Sequence, residues 1–580
     1  MPPKAEASSS FPLRLPLGDA RLLDQLAPDY ALQHGVLPLQ RVGALSLVAT
    51  PDQHVLERER ASLERVFGPI AGVSLPRKAI QFGITHMRGQ QLANRAAKKT
   101  EASESCRNWS SRRATAFTLG FLTIFVAASF MWPTTVLTLV TIWAVLTLVS
   151  VTGIRTVGAF LQLRQTRRAF KTWRTTRLRY VSDTNLPAIS LLVPLFKETE
   201  IASRLVRRLS NLRYPSEKLD ILLIVEAGDS QTEKALQQSS LSDSFRVVRV
   251  PEGAIKTKPR ALNYALDFAN GEIIGVYDAE DAPDPEQLRK VANAFADAPE
   301  NVACLQGILD FYNSRQNLLT RCFTIDYASW FRLILPGLVR LGIAIPLGGT
   351  TVFFRRSVLD KIGAWDAHNV TEDADLGIRL ARRGYRTEFI QSVTLEEATA
   401  SVPAWLKQRS RWIKGYAITW AVHMRNPLKL WRDLGTKRFL GFQALFLGSL
   451  SQFVLAPLMW SFWLVLFGLP HPISGAVSQS VIVAVGILFL LTEIATIFVA
   501  AVAVATPRHR GLIWFTPLMH LYWPLASFAS LKGLGELFWR PFFWDKTAHG
   551  HFTSPEELPR PSWHQRLAAI VLRRRERYAP

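Results

Sequence analysis

Acidic side chains stand directly after short apolar runs at several points of this chain. Glu198 follows "AISLLVP", Glu226 and Asp229 follow "LDILLIV", and Asp278, Glu280 and Asp281 follow "EIIGVY". Glu372 and Asp373 open a helical pattern in "NVTEDADLGIRL". Singly, each is ordinary, because acids cap helix amino termini and favour loops. Gathered at one edge they would repel one another and raise each other's pKa, so a compensating cation is expected. An all-oxygen donor set suits Mg²⁺ or Mn²⁺, and Mg²⁺ completes its shell with substrate phosphate, so a diphosphate ligand follows. Lys256, Lys258 and Arg260 in "GAIKTKPRALNYAL" stand at a helix start, where positive charge and free N–H groups favour that phosphate.

The elements that must carry these groups alternate between about Gln165 and Thr436. "AISLLVP", the helix through "IASRLVRRLSNL", "LDILLIV", a short helix, "FRVVRV", the helix "RALNYALDFA" and "EIIGVYD" succeed one another. That order predicts an α/β domain with a largely parallel sheet covered on both faces. Ligands of such sheets bind at the carboxyl ends of the strands, where the acids fall. Upstream, "YALQHGVLPLQRVGALSLVATPD" and the amphipathic "HVLERERASLERVFG" predict a small α/β module over residues 16–88, with tail and linker at 1–12 and 90–112.

Lys and Arg number 69 against 46 Asp and Glu in 580 residues, a formal charge of +23 that would serve nucleic acid, anionic lipid or phosphorylated ligands. The apolar runs decide among them. Ala114–Ile154, interrupted by Pro133, has room for two spans of about 20 residues each. Leu440–Pro470, Val481–Thr506 and Leu512–Leu531 follow the α/β region. The basic tail "RRRER" favours an even number of spans. Either the first of these stretches, kinked at Pro457, is a hairpin, or the third, with Pro517, His520 and Pro524, is re-entrant or interfacial. No early apolar core with a cleavage site precedes "RAAKKT", so a cytosolic amino terminus without a removable signal is expected. The expected organisation is a module and linker at 1–112, two transmembrane helices at 113–160, a cytosolic domain at 161–403, amphipathic interface helices at 404–437, a transmembrane region at 438–535 and a basic cytosolic tail at 536–580. A multi-pass protein of a bacterial-type inner membrane, in contact with membrane lipids and with both termini cytosolic, is therefore expected. Cys106, Cys304 and Cys322 have no metal-ligand spacing and are expected in packing roles, and nothing in the acidic motifs serves nucleic acid.

The stretch from about Ser190 to Gly415 resembles the family-2 glycosyltransferases, in particular the membrane-embedded processive synthases of the cellulose, chitin and hyaluronan type. The resemblance implies a GT-A-like nucleotide-sugar-binding domain set between transmembrane helices. It also implies a divalent metal, a nucleotide-sugar donor such as UDP-glucose and a growing β-glycan acceptor. By that resemblance Glu198, Glu226, Asp229, Lys258 and Asp278 bind the donor, Asp278 and Glu280 form the metal-binding acid-x-acid pair, and Asp373 of "TED" is the general base. Glu372, the glycines 348 and 349 of "LGGTT" (Gly348, Gly349) and the "QRSRW" residues Gln408, Arg409, Arg411 and Trp412 then face acceptor and diphosphate. A helix amino terminus tends to keep a base such as Asp373 ionised. The amino-terminal module resembles, in layout, the amino-terminal domain of type II secretion ATPases, and is where a regulatory ligand or protein would act.

On a helix, Leu406, Ile413, Ala417 and Trp420 share one stripe, Gln408, Arg411 and Gly415 the opposite one, and Trp405, Trp412 and Tyr416 a flank. The pattern predicts an amphipathic helix lying at the bilayer surface with its polar face toward the acids. "RPFFWDKTAHG", residues 540–550, predicts a further interfacial or gating segment.

Overall fold

The computed structural model describes residues 18–172, 181–198, 201–239 and 241–543. The tail at 1–12, "RRRER" and the larger part of "RPFFWDKTAHG" lie outside the described residues.

The central sheet has the order β6-β5-β4-β7-β10-β9-β11-β8. Its first half is parallel and built from the runs read above: β4 (Ile189–Leu195), β5 (Leu219–Glu226), β6 (Phe245–Val250) and β7 (Ile273–Val276). Nearly every residue of β4 and β5 is buried, as strands covered on both faces require. The second half departs from the expected parallel pattern. β10 (Val352–Arg355) runs antiparallel to both β7 and β9 (Val302–Phe311), β11 (Arg386–Glu396) is parallel to β9, and the two-residue β8 (Ala282–Pro283) pairs antiparallel at the edge. Four residues of β10, set between a glycine loop and the helix Arg356–Lys361, are too few to show a period.

The amino-terminal module is a three-stranded sheet, β1 (Leu37–Val42), β2 (Leu45–Thr50) and β3 (Ile70–Ser74), under the helix Gln53–Phe67. Leu56, Leu63 and Phe67 of that helix meet Val48 and Ile70 in its core. The helix Arg77–Ala96 then buries Ile80, Ile84 and Leu92 in one continuous cluster with Val248, Leu262 and Ala265 of the larger domain. The stretch expected as a linker at 90–112 is therefore docked structure. Lys99 pairs with Asp267 at 3.0 Å, Asn263 donates to the Ala96 carbonyl at 2.9 Å, and Asp366 accepts from the Ser105 hydroxyl at 2.8 Å and the Cys106 N–H at 2.7 Å.

Among the described residues, four helical runs are long and apolar enough to cross a membrane: Ser111–Met131, Pro133–Arg167, Pro427–Leu466 and Gln479–Ala503. The first presents Phe117, Ile124 and Phe130 outward, a surface suited to lipid. The stretch around Pro457 continues through the proline without turning back, whereas the Pro517–Pro524 stretch breaks into a 3₁₀ segment (Arg510–Leu518), a single turn (Met519–Tyr522) and the helix Leu525–Trp539. No hairpin forms at Pro457, and the third stretch is broken where Pro517 and Pro524 fall.

Candidate active site

The acids converge because the strands that precede them end at one edge. Past β7, Asp278 forms an ion pair with Lys258, whose ammonium also donates to the Gly349 carbonyl at 2.9 Å. Burial alone would lower the Lys258 pKa, but Asp278 and then Glu372 hold it above its ordinary value. Glu280 lines the same cavity, while Asp281 turns inward and is fully buried. Asp281 accepts from the Thr350 hydroxyl and, at 2.9 Å, from the Asp278 N–H. Burial, followed by Asp278 and Glu280, pushes its carboxyl well above the usual range.

Glu372 and Asp373 begin the helix Glu372–Arg382. One Asp373 oxygen accepts the Ala374 N–H at 2.7 Å, and the other lies 2.9 Å from where a side chain at position 349 would begin, so Gly349 leaves the base open. Against the tendency of a helix amino terminus to keep Asp373 ionised, burial outweighs the helix N–H groups, Lys258 and Arg411, and its pKa is raised. Burial and then the Asp373 charge push Glu372 up to about 8.

The QRSRW segment lies on the helix Val402–His423. Instead of an amphipathic surface helix it is enclosed on nearly all sides, with Trp405, Ile413, Lys414 and Ile418 all buried. Gly415 sets this approach: any side chain there would run into Thr371, immediately before Glu372. On the far side, Lys414 pairs with Glu536 of Leu525–Trp539 at 2.7 Å. Arg409 is committed to structure, paired with Asp326 and packed against the rings of Trp405, Phe323 and Trp412. Arg411 interacts with Glu372 and Asp373. Gln408 accepts from Thr399 at 3.1 Å, and Trp412 lies 6.2 Å from the Tyr327 ring.

On the donor side Glu226, at the end of β5, is paired with buried Arg260 at 2.6 Å, and burial nevertheless raises its pKa. Asp229 caps the helix Ser230–Gln237 and accepts from the Lys197 N–H at 2.6 Å. Asp229 does not line the cavity, nor do Asp281 and Arg260. The others do: Glu198, Glu226, Lys258, Asp278 and Glu280 on one side, Gly348, Gly349, Glu372 and Asp373 on another, and Gln408, Arg409, Arg411 and Trp412 on a third. Glu396 and Glu397, at the end of β11, also line it and were not singled out in the sequence. Their signal was an acid pair closing "FIQSVTLEE", the same strand-end rule that located Glu226 and Asp278.

The cavity measures about 610 Å³ and continues from these acids past Tyr327 and Trp412 to Trp460, Phe489 and Glu493 in the apolar helices. Among the described residues no three His, Cys, Asp or Glu side chains already surround one point. A divalent ion would therefore use one or two carboxylates plus diphosphate oxygens, and the residues fit that use. Glu396 has its pKa raised by burial and then by Asp281, Glu280 and Asp278, and one oxygen of each of Asp281 and Glu396 is buried without a hydrogen-bond partner among the described residues.

Residues 187–415 match the family described as glycosyltransferase-like family 2. A probable glycosyltransferase, YdaM, of Bacillus subtilis is 28% identical over 233 residues, covering 40% of this chain and 55% of that protein. A beta-monoglucosyldiacylglycerol synthase of Trichormus variabilis is 29% identical over 253 residues, covering 42% of this chain and 53% of that protein. The chain thus spans about half the length of these curated relatives. The mannosyltransferase PcManGT of Pyrobaculum calidifontis, solved with GDP-Man and Mn²⁺, aligns with 66% of this chain and 99% of its own at 17% identity and a TM-score of 0.37.

Proposed function

We propose that the family-2 glycosyltransferase domain at residues 187–415 belongs to a membrane-embedded, processive, inverting enzyme. It would polymerise a nucleotide sugar, UDP-glucose by the resemblance above, into a β-linked glycan and pass the product into the membrane region. The observation that carries this reading is the single cavity joining Asp278, Glu280 and Asp373 to Trp460 and Glu493 between the apolar helices.

In the proposed mechanism Asp373 takes the proton from an acceptor hydroxyl, whose oxygen attacks the anomeric carbon as the nucleoside diphosphate leaves from the opposite face. The new bond is β from an α-linked donor, and no covalent intermediate forms. The burial that raises the Asp373 pKa makes its carboxylate a stronger proton acceptor than a solvated one. Arg411 and Lys258 hold positive charge where the diphosphate develops negative charge. A divalent ion held by Asp278 and Glu280 would add positive charge there. Trp412, backed by Phe323 and Tyr327, offers a ring against which the terminal acceptor sugar rests.

Topology in this reading follows from docking. Residues 77–107 are bonded to the glycosyltransferase domain, so the two helices between them leave and re-enter on one side. The pair Pro427–Leu466 and Gln479–Ala503 also returns to that side, where Glu536 meets Lys414.

A second reading, transfer of one or a few sugars to a lipid, is favoured by the likeness to a beta-monoglucosyldiacylglycerol synthase. Radiolabelled UDP-glucose, supplied to the protein in lipid nanodiscs with Mg²⁺ or Mn²⁺, separates the two. Long, glucanase-sensitive chains are expected; short lipid-extractable products would move the assignment to lipid glycosylation. Asp373→Asn is expected to lower transfer by at least about 10²-fold while UDP binding persists. Product made at the wild-type rate would remove Asp373 from the role of base.

A further inference from the structure

We propose that a second cavity, at the carboxyl end of the helix Pro133–Arg167, holds the phosphate of an anionic phospholipid headgroup between Arg164, Arg340 and Arg386. The inference rests on the reading above that this helix spans a bilayer, and adds to it a lipid site apart from donor and acceptor.

The cavity measures about 590 Å³, and none of its described lining residues lines the catalytic cavity. Three elements build it. The span contributes Arg164 and Gln165, the helix Leu335–Arg340 contributes Arg340, and the start of β11 contributes Arg386. Backbone packing fixes their spacing. A side chain at Gly337 would begin 2.0 Å from the Gly158 carbonyl oxygen, so the short helix lies directly against the span. One turn further on, Arg340 Nε donates to Gln162 at 2.7 Å. That bond spends Nε and not the outer edge of the guanidinium, the fork that matches phosphate. Among the described lining residues the one acid is Glu388, 3.4 Å from Arg386, so three cations face a single anion.

The surface beside the cavity makes the ligand a lipid. Val157 and Phe160 are 49% and 60% exposed, and on the helix they share one stripe with Arg164. Exposed apolar side chains next to a basic cluster suit acyl chains that run from the phosphate back along the span. Depth agrees, since at ~1.5 Å per residue Arg164 lies about 46 Å from Pro133, close to the ~40–45 Å of a bilayer with its headgroup layers. Basic pockets beside membrane helices are a recurrent way of holding anionic headgroups. A free anion or an acidic peptide would use the arginines and leave Val157 and Phe160 in water.

The test titrates full-length protein in neutral detergent with dioctanoyl phosphatidylglycerol and counts bound lipid by native mass spectrometry. Dioctanoyl phosphatidylcholine and inorganic phosphate serve as comparisons. Phosphatidylglycerol is expected to bind about tenfold more tightly than phosphatidylcholine. The double variant Arg164→Gln, Arg386→Gln should lose about tenfold or more of that affinity, since each arginine near a lipid phosphate contributes roughly fivefold. Glu388→Gln should gain about threefold, which misfolding cannot produce, and UDP binding checks the fold of each variant. Equal affinity for the two lipids, or for wild type and the double variant, would overturn the site. Displacement of the lipid by an equal concentration of inorganic phosphate would overturn a lipid as its occupant. The membrane reading is checked separately, with a bimane label on Phe160→Cys in nanodiscs whose acyl chains carry bromine. Quenching is expected; its absence would overturn the span at this position and the lipid site with it, whereas quenching without a lipid preference would overturn the site alone.

Discussion

At the scale of single residues, Glu372 and Asp373 show how two adjacent acids acquire different work. Asp373 is open to the cavity beside Gly349, whereas Glu372 is 3% exposed and carries a pKa of about 8 against an ordinary value of 4.5. Between those pH values the folded protein holds a proton on Glu372 that the unfolded chain has released, so stability is lost as pH rises through this window. Wild-type thermal stability is therefore expected to fall from about pH 5 to about pH 8.5 more steeply than that of Glu372→Gln, measured by thermal unfolding in detergent. Parallel profiles would mean that Glu372 is ionised in the folded protein. Most acids of the site were legible in sequence because a strand end is a short-range signal, readable from a few apolar residues and one carboxylate. What distinguishes Glu372 from Asp373 is burial, and what retires Asp229 to a helix cap is its bonding to the Thr232 and Lys197 N–H groups, neither of which the strand-end pattern encodes.

At the scale of elements, polar composition misled where polar groups are bonded inside the protein. The stretch after Ala96 reads as a linker because it is rich in Lys, Ser and Glu, yet Glu104 pairs with Arg383 at 2.8 Å and Ser105 with buried Asp366. These contacts strap the loop that leads from Gly363 to Glu372. Ser105→Ala is expected to cost about 1–2 kcal/mol, seen as a lower unfolding temperature, and to lower kcat more than it raises donor KM. Unchanged stability and kcat would show that the strap carries nothing. The QRSRW helix was misjudged for a related reason, since its charged face is covered by Glu536 and Asp326 instead of water. Its seat depends on the absence of a side chain at Gly415. Gly415→Ala should push the helix off Thr371 and, through a displacement of about 1 Å, reduce transfer by about 10²-fold with the protein still folded. Wild-type kinetics in that variant would show that the helix position does not set catalysis.

At the scale of the whole molecule, docking constrains any arrangement of spans more tightly than charge does. The amino-terminal module shares a hydrophobic core with the larger α/β domain, so Ser111–Met131 and Pro133–Arg167 must form a hairpin in any membrane that holds them. The broken stretch from Arg510 to Tyr522 is anchored at both ends, where His509 meets buried Asp310 of β9 at 2.8 Å and His520 meets Glu493. The turn between Leu466 and Gln479 joins the apolar helices Pro427–Leu466 and Gln479–Ala503. Cys106, Cys304 and Cys322 are all buried, so they should stay silent toward a membrane-impermeant maleimide in the native protein. Cysteines placed by Gly475→Cys, in that turn, and by Asp183→Cys, on the exposed approach to β4, give the two sides separate reporters. In sealed right-side-out vesicles Gly475→Cys should be labelled and Asp183→Cys should require permeabilisation. Labelling of both from the same side would break the four-span arrangement and, with it, a cavity that leads from the acids across the membrane.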